Sequence, residues 1–74
     1  MIKPISWKKF DKFLKYVGCT LKCEKGDHMI YWRDGLNRPI VIPKVEDIPT
    51  FVVRNNLRTL GIPKEEYLEI LERV

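Results

Sequence analysis

His28 is the only histidine in a chain of 74 residues, and histidine is the side chain whose ordinary titration falls near neutrality. It follows Lys25-Gly26-Asp27, a turn in which glycine lets backbone approach a ligand closely. Lys25, Arg33 and Lys44 are the basic candidates for holding a phosphate beside it. One imidazole among such cations suits metal-independent cleavage of RNA. The imidazole takes the proton of a 2′-OH as that oxygen attacks the adjacent phosphorus, and Lys or Arg stabilises the charge gathering on the phosphoryl oxygens. With a single histidine, the leaving oxygen is protonated by another group (Lys25, Lys44 or water), or His28 serves both steps in turn. Either route describes a slow enzyme.

Other chemistries fit less well. Cys19 and Cys23 lie four residues apart, about 13 Å along a strand, beyond the roughly 4.4–6.8 Å Cα separation of a disulfide. Two thiols and one imidazole fall short of the four ligands of a structural zinc. Reduced thiols, no cofactor and no metal are therefore expected, in a reducing, cytoplasmic setting. The net charge is +4, and it is uneven. Residues 1–26 carry seven lysines against Asp11 and Glu24, whereas residues 46–74 carry four basic and six acidic groups. A basic first third suits a polyanion such as nucleic acid. No apolar run approaches the roughly 20 residues of a membrane span, so no membrane partner is expected.

The elements that must position His28 can be read from periodicity. Trp7, Phe10, Phe13, Leu14 and Val17 fall on one stripe of a helix over about residues 6–17, with Lys8, Lys12 and Lys15 opposite. Ser6 can cap its start, and Gly18 sits where a left-handed residue ends it. Cys19, Leu21 and Cys23 alternate with polar residues, predicting a half-buried strand. The stretch from His28 to Arg33 is rich in strand formers, and Ile40–Pro43 supplies a third strand. Short connections make these an antiparallel meander. In the second strand, Met29 and Tyr31 should pack beneath the helices, leaving His28, Ile30 and Trp32 exposed on the other face; the competing register buries Ile30 and Trp32 and puts His28 at the edge of the core.

A second helix is expected from a cap at Thr50 to Leu60, with Val53, Leu57 and Leu60 inward, Arg54 and Arg58 outward, and Gly61 as its stop. A third would begin at Pro63 and present Tyr67, Leu68, Leu71 and Val74. The order α-β-β-β-α with a C-terminal helix predicts one α+β domain over residues 1–74. Its three-stranded sheet would carry helices on one face, in the order of the double-stranded-RNA-binding-domain fold. A fold alone does not assign a function.

The segments Lys25–Arg33, Ile40–Pro43 and Val53–Ile62 together resemble HicA-type toxins, the small mRNA interferases of toxin–antitoxin pairs. That family's usual signature is Gly-Ser-His opening the second strand, a Val-Pro-like end to the third, and Leu-Arg-x-Ile-Leu-Arg-x-x-Gly-Ile in the next helix. Here Asp27 stands in place of the Ser, and the loop after Pro43 reads Lys44-Val45-Glu46-Asp47 where the family often has Arg-His. The resemblance spans about residues 6–71.

It implies a metal-independent mRNA endoribonuclease with His28 as general acid and base, neutralised by a HicB-like antitoxin. Lys25, Gly26, Arg33 and Lys44 would bind the RNA phosphates. Ile30 and Trp32 would stack on a base or meet the antitoxin. The alternatives are a non-catalytic double-stranded-RNA-binding module and an inactive toxin remnant that only engages its partner.

Overall fold

A computed structural model describes residues 1–74. The chain runs α1 (Trp7–Tyr16), β1 (Thr20–Lys25), β2 (His28–Trp32), β3 (Ile40–Pro43), α2 (Thr50–Leu60) and α3 (Lys64–Leu71). The sheet is antiparallel in the order β1-β2-β3, which places β2 at its centre. This is the expected α+β arrangement of a helix, a meander and two further helices.

α1 begins where the Ser6 side chain accepts from the Lys8 N–H at 3.3 Å. It ends at Gly18, whose φ of 95° is open to glycine at little cost. Its stripe buries Phe10, Phe13 and Leu14 completely. α2 starts one residue earlier in role than its sequence suggests. Pro49 is the cap and Thr50 the first helical residue, with no side-chain cap bond. α3 likewise uses Pro63 as its cap, and it buries Ile70 beside Tyr67, whereas Leu68, Leu71 and Val74 are only half-buried. The N-terminal segment is pinned by a bridge between Ile5 and Ile48, with the Ile48 N–H donating to the Ile5 carbonyl at 2.8 Å.

β1 departs most from expectation. All six of its residues are exposed, and only Cys19, just before it, is buried. An edge strand has one neighbour, and here a bulge at Lys22 sets Leu21 opposite Tyr31 but Cys23 opposite Ile30. The extra residue sends Leu21 and Cys23 to opposite faces, which ends the expected alternation. Both cysteines are free thiols. Burial pushes the Cys19 thiol up, and the Arg33 charge partly opposes that.

One cluster of 16 buried side chains joins α1, the inner face of β2 and β3, α2 and α3. Tyr67 meets Phe13 edge-on at 4.9 Å between ring centroids and Phe10 at 6.1 Å. Its hydroxyl is buried without a hydrogen-bond partner. An unpaired buried hydroxyl costs about 1–3 kcal/mol, so Tyr67→Phe should stabilise the fold by roughly 1 kcal/mol. Burial also pushes the Tyr67 phenol up to about 12, from an ordinary 10.0. Because the folded value lies above the unfolded one, the proton is held more tightly in the native state. That contribution is complete below the unfolded value and fades as pH rises from about 10 towards 12. Urea titrations should therefore show Tyr67→Phe more stable at neutral pH and losing less stability in that alkaline window. An unchanged midpoint and an unchanged alkaline loss would contradict this account.

Candidate active site

The β1–β2 hairpin closes with Lys25 directly opposite His28. The two residues between them are Gly26 and Asp27, and Gly26 carries a φ of 58°. A two-residue hairpin needs a positive φ at its first central position, which explains the glycine. Lys25, Gly26, Asp27 and His28 are all exposed. On the other side His28 pairs with Pro43 of β3. The next residue, Lys44, donates its backbone N–H to the Asp27 carbonyl at 2.7 Å. The turn that presents His28 is thus held by both neighbouring strands.

Strand alternation then sets the two faces. Met29 and Tyr31 are buried beneath the helices, at 4% and 0% exposure. The Tyr31 hydroxyl donates to the Asp11 carboxylate of α1, and burial together with that acceptor pushes the phenol well above its usual range. His28, Ile30 and Trp32 alternate with them on the opposite face, but only His28 is exposed: Ile30 and Trp32 are half-buried rather than exposed, and Trp32 packs against the edge of the core cluster. Val41, directly across from Ile30, extends the apolar surface onto β3. The strand face beside His28 therefore carries a small apolar patch, with Lys25 across the hairpin.

The family model described as "HicA toxin of bacterial toxin-antitoxin" matches residues 7–62. The chain belongs to the HicA toxin family. The match begins with the first residue of α1 and ends two residues beyond α2, so the HicA-matching part contains the hairpin, the whole sheet and the helix beside β3. Membership of a toxin–antitoxin family brings an antitoxin partner in general terms. No curated protein and no solved structure gives a match. No helix is long and apolar enough to cross a membrane.

Two of the expected phosphate contacts have their charged ends engaged elsewhere in the fold. Arg33 faces the helix side, about 16 Å along the chain direction of β2 from His28. Its Nη1 donates to the Val17 carbonyl at 3.0 Å and its Nη2 to the Leu60 carbonyl at 3.3 Å. Both guanidinium ends are thus committed to the C-terminal ends of α1 and α2. Lys44 stays close through its backbone, but its ammonium pairs with Glu24 at 3.4 Å and lies 5.0 Å from the centre of the Trp7 ring. Trp7 itself counted only as part of the α1 apolar stripe in the sequence. Its proximity to Lys44 depends on a contact 37 positions away that periodicity does not encode. Lys25 is left as the cation that the hairpin sets directly beside the imidazole. No three His, Cys, Asp or Glu side chains converge as metal ligands do.

Proposed function

We propose that this HicA-family chain is the toxin of a type II toxin–antitoxin pair, a metal-independent endoribonuclease acting on mRNA and restrained by a HicB-like antitoxin. The observation that carries this reading is an exposed His28, opposite Lys25 on a glycine turn, in a chain whose family is HicA. Neutral imidazole takes the proton of a 2′-OH, O2′ bonds to phosphorus, and the bond from phosphorus to O5′ breaks. Lys25 and the backbone at Gly26 hold the phosphoryl oxygens as charge gathers there, with Lys44 contributing once RNA competes with Glu24 for its ammonium. The leaving oxygen takes its proton from solvent, to which this end of the hairpin is open. A lone imidazole makes a modest catalyst, which suffices for an agent that acts by removing messages.

Ile30 and Trp32 serve the same site as a platform. A base can stack on the indole, and the same surface suits the antitoxin, since aromatic side chains favour both kinds of contact. The direct test compares wild type with His28→Ala on single-stranded and duplex RNA in EDTA. Cleavage of single-stranded RNA by wild type alone supports the proposal, and equal cleavage by both proteins removes His28 from it. Duplex binding without cleavage by either would point to a binding module.

A further inference from the structure

Along the outer edge of β3, where it faces α2, lies a groove of about 630 Å³. That volume falls within the roughly 300–1,000 Å³ of small-molecule sites. Its polar walls are Arg38, Arg58, Asn37, Asn55, Asn56 and Thr59, and no carboxylate lines it. Arg38 and Arg58 are exposed, and neither forms an ion pair within the protein. Asn56 is the one buried polar residue of the chain, and its Nδ2 donates to the Val41 carbonyl at 3.3 Å. That bond fixes the amide in the groove wall.

We infer that this groove is a second nucleotide-binding subsite, which holds a single-stranded RNA segment adjoining the one at His28. The inference rests on the nuclease reading for the direction of the strand, but the binding itself does not. Two unpaired guanidinium groups suit phosphates, and side-chain amides suit the exposed edges of unpaired bases. Continuity with the hairpin comes through Val41, which lines the groove and also sits across from Ile30 on the open face. Because His28 pairs with Pro43, Val41 is its diagonal neighbour, about 7–8 Å away. One RNA strand can therefore touch His28, cross the Ile30–Val41 patch and enter the groove. The absence of any carboxylate in the groove disfavours a basic peptide as its occupant. The mixture of amides with arginines favours a nucleotide over an acidic peptide, for which cations alone would suffice.

The test measures binding of a labelled single-stranded 12-nucleotide RNA, over a range of salt, to wild type and to Arg38→Ala/Arg58→Ala. Both arginines are exposed, so the variant is expected to fold, which its thermal unfolding checks. The double substitution should weaken binding about 10- to 100-fold. It should also flatten the logarithmic salt slope by about 1.4, as expected for two lost phosphate contacts on a single strand. If wild type cleaves RNA, a dinucleotide substrate, too short to extend from His28 to Arg38 and Arg58, should be cut equally by both proteins. Unchanged affinity and slope for the 12-nucleotide RNA would overturn the inference. So would loss of antitoxin binding with RNA binding intact. Weakened RNA binding in a protein that cleaves nothing would keep the groove and sink the nuclease reading.

Discussion

His28→Ala is expected to lower RNA cleavage about 100- to 10,000-fold, the range over which a positioned general base contributes. The loss should appear in turnover far more than in RNA affinity. Affinity is expected to rest on Lys25, Lys44, the Ile30–Val41 patch and the groove arginines, none of which the substitution removes. The fold should survive, because His28 is exposed and lies outside the core cluster. An unchanged unfolding midpoint beside a collapsed rate would separate a chemical role from a structural one. A rate that falls only in proportion to lost folded protein would assign His28 to the scaffold.

The second large effect is on stability. Arg33→Ala should destabilise the protein by about 3 kcal/mol, since hydrogen bonds to charged groups contribute about 1.5–3 kcal/mol each and the two here share one side chain. Both acceptors are carbonyls at helix C-terminal ends, where a positive charge is favoured. In a domain of this size such a loss lowers the melting temperature by roughly 12–24 °C. Arg33→Lys should recover only part of it, because one ammonium cannot span carbonyls at the ends of two helices. RNA affinity per folded molecule should be unaffected by either change. A normal melting temperature with weakened RNA binding would return Arg33 to the phosphate-binding role that its charge suggests in the sequence.

That contrast shows what the sequence could disclose. The α1 stripe and the β2 alternation are local patterns, with periods of 3.6 and 2, and the burial of Phe10, Phe13, Met29 and Tyr31 follows them. His28, Ile30 and Trp32 alternate with these residues as expected, but periodicity does not show that Ile30 and Trp32 end half-buried, with Trp32 packed against the core. β1 follows no such rule, because one bulged residue at Lys22 reverses the facing of everything beyond it. Arg33 and Lys44 were legible as cations, but their partners lie 16 to 37 positions away. Only the assembled chain decides whether a guanidinium meets a phosphate or the carbonyls of Val17 and Leu60. The groove beside β3 is likewise a product of packing, since its arginines and asparagines come from a turn and a helix that periodicity treats separately.

Attack by a 2′-OH that His28 deprotonates is tested most directly on the substrate. Wild-type protein in EDTA should cut an all-ribose oligonucleotide to products ending in a 2′,3′-cyclic phosphate. It should leave uncut the same oligonucleotide carrying 2′-deoxyribose at the scissile position. Cleavage of that deoxy-substituted strand at an undiminished rate would contradict the account.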